Sequence, residues 1–122
     1  MAFGRKIRPK ILIGRYRRIE DPEALQLPCG CYWSGEVAAE KLHINLRSQE
    51  QTIYTNLELL KAVQELRLIP DENGLLELLN AFWNKDIINE QLENVVPKPL
   101  IYVDLMLSGN HRNIEIAPEL FE

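Results

Sequence analysis

The sequence predicts an α+β single domain: a small mixed sheet, with a β-hairpin at about residues 66–82, packed by three to four helices. Three observations lead there. Apolar or β-branched runs of strand length occur at residues 10–14, 52–54 and 75–82. Segments whose apolar residues recur at helical spacing alternate with them, at 35–43, 57–66 and from Pro99 onward. The chain has 122 residues, 46% hydrophobic and 26% charged, which is material for one core and argues against a wholly disordered chain. Aromatics are only 7%, so aliphatic packing carries that core. No repeat, low-complexity tract or linker divides residues 1–122, so one domain is expected.

The elements follow in order. Ile11, Leu12 and Ile13 form a continuous apolar run after Pro9 that ends at Gly14, which predicts a largely buried strand. Residues 15–19 extend it, with Tyr16 on the face opposite Arg15 and Arg17. Breaks are expected at Glu20-Asp21-Pro22 and at Pro28 to Gly30. Ser34 is the predicted N-cap of a helix from Gly35 to about His43, its hydroxyl accepting an early backbone N–H and Glu36 suiting the positive end of the macrodipole. Thr52, Ile53 and Tyr54 make a strand. Thr55-x-x-Glu58 matches a capping box before an amphipathic helix over 57–66 that buries Leu59, Val63 and Leu66. Leu68 and Ile69 open the hairpin, Pro70-Asp-Glu-Asn-Gly74 turns it because Asn-Gly accepts positive φ, and 75–82 returns. A polar helix is expected over 86–93. Pro99 suits the first position of a largely buried helix with Leu100, Val103 and Leu107 on one face, widened by Ile101, Leu105 and Met106. Ser108 and Gly109 stop it, Asn110 caps a last helix from His111, and Pro118 shortens or kinks that helix.

Charge and chemistry exclude more than they assign. No apolar run approaches the roughly 20 residues of a membrane helix, and the basic start lacks a signal peptide's apolar stretch, so a cytoplasmic location with no membrane partner is expected. Net charge is −4, yet residues 1–18 hold seven bases and no acid while the other 104 residues hold seven bases and eighteen acids. This basic N-terminal arm, through Arg8, Lys10, Arg15, Arg17 and Arg18, is expected to give at most weak, sequence-independent and salt-sensitive contact with nucleic acid.

Cys29 and Cys31 are spaced too tightly for a zinc knuckle, and His43 and His111 are solitary, so no metal is expected. Glu40-x-x-His43 is half of a di-iron motif without its second half, and reads as a solvent-facing pair. Phosphate-cradling glycine loops and nucleophile motifs are absent, so neither cofactor nor catalytic residues are assigned. Trp33 and Trp83 read as core. Asp104 is an acid inside an apolar helix and needs a partner, which Arg112 or the Asn110 region across the Ser108-Gly109 bend could supply; the pairing with Arg112 is predicted.

Four stretches carry a resemblance: residues 8–16 (Arg-Pro-Lys-Ile-Leu-Ile-Gly-Arg-Tyr), 32–42 (Tyr-Trp-Ser-Gly-Glu-Val-Ala-Ala-Glu-Lys-Leu), 75–83 (Leu-Leu-Glu-Leu-Leu-Asn-Ala-Phe-Trp) and 99–113 (Pro-Leu-Ile-Tyr-Val-Asp-Leu-Met-Leu-Ser-Gly-Asn-His-Arg-Asn). In order and spacing the chain resembles the C-terminal region of AbiEi-like antitoxins of type IV toxin–antitoxin, or abortive infection, systems. The resemblance implies a bacterial, non-enzymatic antitoxin that opposes a nucleotidyltransferase-like toxin and represses its own operon. DNA binding in that family belongs mainly to an N-terminal winged helix, which is not expected here. The implied partners are therefore a cognate toxin or an upstream winged-helix protein. Trp33, Glu36, Asp104, Asn110, Arg112 and Asn113 are the contact candidates in the matching stretches, beside the basic arm. Two other readings stand next to this one: an enzyme on nucleic acid or nucleotides using Glu36 and Asp104, and an inactive truncated remnant.

Overall fold

Strands and helices follow in the order β1 (Leu12–Arg18), β2 (Cys31–Ser34), α1 (Gly35–Lys41), β3 (Gln51–Thr55), α2 (Leu59–Leu66), β4 (Leu68–Pro70), β5 (Leu76–Asn80), α3 (Lys98–Leu107) and α4 (His111–Ile116), ending in a 3-10 turn over Ala117–Phe121. The computed structural model describes residues 11–18, 27–28, 30–42, 47–81 and 94–121. The strands form one mixed sheet in the order β2-β3-β5-β1-β4, so the α+β class read from the sequence is the fold. Strand β3, inside the sheet, pairs antiparallel with β2 and parallel with β5. Its Thr52, Ile53, Tyr54 and Thr55 are all buried, as a strand covered on both faces requires. Ile53, Leu76, Leu78, Leu79, Leu66, Ile101 and Leu105 form the largely aliphatic centre of the core. Beyond β2, residues 94–96 close the sheet: Trp33 N–H donates to Asn94 O at 2.6 Å and Val96 N–H to Trp33 O at 3.0 Å.

The hairpin expected at 66–82 does not form. Both strands exist, but β1 lies between them and is antiparallel to each, with Arg18 opposite Leu68 on one side and Arg15 opposite Glu77 on the other. Pairing through β1 gives β4 and β5 a partner strand without their touching, a long-range solution that local turn chemistry cannot report. Residues 71–75 therefore cross β1 at Tyr16 instead of reversing beside it. Asp71 N–H donates to Arg15 O at 3.1 Å, Gly74 N–H to Asp71 O at 2.8 Å, and the Asp71 carboxylate accepts from Asn73 N–H at 2.9 Å. A Cβ built on Gly74 would overlap the carbonyl oxygen of Tyr16 and lie 2.5 Å from its carbonyl carbon. The glycine is demanded by this close approach, because neither Asn73 nor Gly74 has positive φ.

Other expectations shift locally. Strand β1 runs through Gly14, with a register shift between Leu12 and Gly14, and it is less buried than expected: only Tyr16 is fully covered. Helix α2 starts at Leu59 after Glu58, so Thr55-x-x-Glu58 is no capping box; the Thr55 hydroxyl instead accepts from Leu57 N–H at 3.0 Å and meets Cys31 Sγ at 3.3 Å. The buried positions of α2 are Ala62 and Leu66, while Leu59 and Leu60 face water. In α3 the buried seam is Ile101, Asp104 and Leu105, rather than Leu100, Val103 and Leu107, and Pro99 is one position inside the helix start. The end of the chain follows the sequence reading. Gly109 has φ +75° beyond α3, Asn110 caps α4, and α4 ends at Ile116 before Pro118 in the 3-10 turn. The helix expected over 86–93, Trp83, Cys29 and His43 lie outside the described residues.

Candidate functional site

Strand register assembles a polar stripe. Ser34 is the partner of Thr52, Thr52 of Glu77 and Glu77 of Arg15, so four polar residues lie side by side across β2, β3, β5 and β1. Residues directly opposite one another share a sheet face. Helix α3 brings Asp104 onto this face. Ser34 Oγ donates to Asp104 Oδ2 at 2.6 Å and the Tyr54 hydroxyl to Oδ1 at 3.2 Å. A carboxylate only 5% exposed needs such donors, and a hydrogen bond to an ionised acceptor is stronger than a neutral one. Ser34 does stand at the N-cap position of α1, but makes no side-chain cap, because its hydroxyl is spent on Asp104.

The pairing of Asp104 with Arg112 is corrected by the structure. Arg112 Nη2 instead meets Glu36 Oε1 at 2.6 Å, and the same oxygen accepts from Gln49 N–H at 3.2 Å. The bend at Ser108 and Gly109 carries Arg112 to the first turn of α1, where Glu36 sits 5% exposed. Helix α4 is held for this by its cap, Asn110 Oδ1 accepting from Arg112 N–H at 2.9 Å. Asn113 Nδ2 donates to Ser108 Oγ at 3.1 Å, and Ser108 Oγ donates to Leu105 O at 2.7 Å. Among the described residues, two buried side-chain polar atoms make no hydrogen bond, Arg112 Nε and Asn113 Oδ1. Buried polar atoms without partners are rare in folded proteins, which marks this corner.

Between stripe and helices lies a cleft of about 160 Å³, walled by Arg15, Glu36, Glu50, Thr52, Glu77, Asp104 and Asn113 together with Gly35, Leu105, Leu107 and Ser108. Of the sequence-derived candidates, Arg15, Glu36, Asp104 and Asn113 thus converge, with Arg112 behind Glu36. Asn110 acts as a cap, and Trp33 is buried in β2. Arg15 reaches Gly74 O at 2.9 Å and Glu77 at 3.8 Å. Arg17 projects outward 4.0 Å from Asp71, and Arg18 Nε donates to Leu66 O at 3.4 Å. Arg8 and Lys10 lie outside the described residues.

Glu50 and Glu77 were not singled out by sequence; Ser34 was read as a helix cap, and Thr52 and Tyr54 as strand residues, none of them as part of a site. Glu77 carried a signal, an acid within the strand run Leu76-Glu77-Leu78. Away from the cleft, Glu40 accepts from the backbone and hydroxyl of Ser48, and the hydroxyl bond above all holds its carboxyl below the usual range. Among the described residues no three His, Cys, Asp or Glu side chains are placed to share a metal ion, and no helix is long and apolar enough to cross a membrane.

Fold and site define a small α+β domain in which buried carboxylates, tied to hydroxyls and an arginine, align helices over a polar stripe. The chain belongs to a family of transcriptional regulators, the AbiEi antitoxins of type IV toxin–antitoxin systems, whose profile matches residues 1–122. No curated protein and no solved structure matches the chain.

Proposed function

We propose that the chain neutralises a nucleotidyltransferase-like toxin without catalysis of its own and contributes to control of the operon that encodes the pair. The observation that carries this reading is the family match over all 122 residues. The site geometry supports its non-enzymatic part. The two carboxylates an enzyme reading would use are engaged with the scaffold, Asp104 with Ser34 and Tyr54, and Glu36 with Arg112 and Gln49 N–H. A general acid or base needs a proton route to substrate, and carboxylates holding helices in place are poorly suited to that work. The proposed partner is the toxin encoded beside this chain. Any nucleic-acid contact is assigned to the basic segment at residues 1–18, with affinity falling steeply as salt rises.

The test is co-expression. Induction of the neighbouring toxin gene alone is expected to arrest growth, and induction together with this chain to restore it. Persisting arrest with the chain present and soluble refutes the antitoxin reading. Turnover of nucleotide or nucleic acid by the purified chain, abolished in Asp104→Asn with the fold intact, refutes the non-enzymatic part.

A further inference from the structure

We propose that Asn73-Gly74 is a site of spontaneous deamidation and isomerisation, which the crossing at β1 holds closed while the chain is folded. In an Asn-Gly pair the backbone nitrogen of the glycine attacks the side-chain carbonyl carbon of the asparagine. The new N–C bond closes a succinimide ring, and the side-chain nitrogen leaves as ammonia, taking with it the proton of the glycine N–H. Water then opens the ring at either carbonyl. One opening gives aspartate; the other gives isoaspartate, whose main chain runs through the former side chain. Solvent water is the only co-reactant. Glycine permits the attack best, because no side chain shields its nitrogen and its backbone turns freely.

The electrophile is open and the nucleophile is not. Asn73 is exposed, and its side chain makes no hydrogen bond to any described residue. Gly74 is buried, and its N–H donates to Asp71 O at 2.8 Å. The nitrogen must give up this proton to attack, so breaking that bond adds to the barrier. The flanking backbone is clamped as well. Asn73 N–H donates to Asp71 Oδ1 at 2.9 Å, and Arg15 Nη1 donates to Gly74 O at 2.9 Å. Gly74 packs so closely on Tyr16 that a Cβ there would lie 2.5 Å from the Tyr16 carbonyl carbon. Neither peptide group beside the Asn73–Gly74 bond is free to rotate, so the reaction requires local opening of the kind that loops undergo.

The product bears on the fold. Isoaspartate lengthens the main chain by one atom just before Gly74, where the crossing has no room even for an added Cβ. The lengthened segment does not seat Gly74 on Tyr16 again, so an opening that ends in isomerisation is irreversible. Aspartate keeps the chain length but places a third acid after Asp71 and Glu72. The crossing therefore records time spent open, and this chemistry is independent of the antitoxin reading.

The experiment ages the full chain at mildly alkaline pH, folded in buffer and unfolded in guanidinium chloride. Isoaspartate at residue 73 is followed by peptide mapping and by enzymatic methylation of isoaspartyl groups, with Asn73→Gln as the unreactive control. Isoaspartate is expected to form at least about tenfold faster in the unfolded chain, a ratio that reads the opening equilibrium of the crossing. Arg15→Ala removes the bond to Gly74 O and keeps the Asn-Gly pair, so with its fold intact by circular dichroism it is expected to react faster than the folded parent. After return to buffer, the isoaspartyl fraction of the aged parent is expected to melt below the unmodified fraction. Equal rates in the folded and unfolded parent, no isoaspartate at residue 73 in the unfolded parent, or an isoaspartyl fraction that melts like the unmodified chain each overturns the proposal. The comparison within the parent chain stands whether or not Arg15→Ala folds.

Discussion

Gly74→Ala is the sharpest available test of the crossing that replaced the expected hairpin. The added Cβ would overlap Tyr16 O, with the Tyr16 carbonyl carbon at 2.5 Å and Asp71 O at 3.0 Å, and all three obstacles are backbone. No side-chain rotation relieves them, so the crossing segment must lift off β1. Overpacking of this kind costs about 1–3 kcal/mol. The displacement also strains the contacts that fasten the crossing, Asp71 N–H to Arg15 O, Gly74 N–H to Asp71 O and Arg15 Nη1 to Gly74 O. Each is worth about 1 kcal/mol, so losing two brings the sum to about 3–5 kcal/mol. For a domain of this size that lowers the melting temperature by about 12–20 °C. Gly109→Ala is the control, since nothing lies within 4 Å of its Cβ and only its φ of +75° is strained, at about 1 kcal/mol. Thermal melts of the three proteins by circular dichroism check the ranking. Gly74→Ala melting no lower than Gly109→Ala would show that the chain does not cross β1 at Tyr16, and would reinstate the hairpin.

Three further outcomes follow from the site. Arg112→Ala is expected to destabilise by about 2–3 kcal/mol, below a fully buried pair because Arg112 is 37% exposed, and Glu36→Gln/Arg112→Ala should fall well short of the sum of its single variants in chemical denaturation. Asp104→Ala leaves two buried hydroxyls without their acceptor and should cost about 2–4 kcal/mol, whereas Asp104→Asn keeps an acceptor and should cost about 1 kcal/mol, read from the same denaturation curves. Ser48→Ala should raise the Glu40 pKa toward the ordinary range by NMR titration. Because the folded carboxyl titrates low, its contribution to stability is present above the unfolded pKa and is lost as pH falls through the folded one, and Ser48→Ala should flatten that acid-side dependence.

What was legible in the sequence was local. Asn110 and Gly109 act within a few residues of themselves, so the cap of α4 and the stop of α3 could be read directly. Pro118 needed only its own ring to end α4. Several misreadings share a cause, a motif residue taken over by another partner. Ser34 has the cap residue's chemistry and the cap residue's place, but Asp104, seventy positions away, takes its hydroxyl. The Thr55 hydroxyl turns to Leu57 N–H and Cys31. Asn73-Gly74 looks like a hairpin turn, yet the glycine answers to Tyr16 of a strand that sequence order places far upstream. Arg112 follows Asp104 by one bend in sequence, yet it pairs with Glu36, seventy-six positions upstream, a contact that spacing does not report. The same non-locality hid the cleft. Glu50 and Thr52 flank the start of β3 without any motif, and only the parallel register with β5 sets Thr52 beside Glu77.

The same stripe shows what its buried acids do. Asp104 is costly in an apolar seam, and well-packed hydrophobic residues often match or exceed the stability of buried polar pairs. Its value lies in direction: Oδ2 takes a donor from β2 and Oδ1 a donor from β3, two residues apart in register, which fixes α3 against two adjacent strands. Glu36 and Arg112 do the same between α1 and α4. Among the described residues that line the cleft, the Glu50 carboxylate and Asn113 Oδ1 take no part in these contacts. Substitutions therefore divide by consequence. Those at Ser34, Tyr54, Asp104, Glu36 and Arg112 act first on stability, whereas Glu50→Gln should leave the melting temperature unchanged. A stability loss in Glu50→Gln equal to that of Arg112→Ala would mean that Glu50 is a further member of the scaffold, and the division would fail.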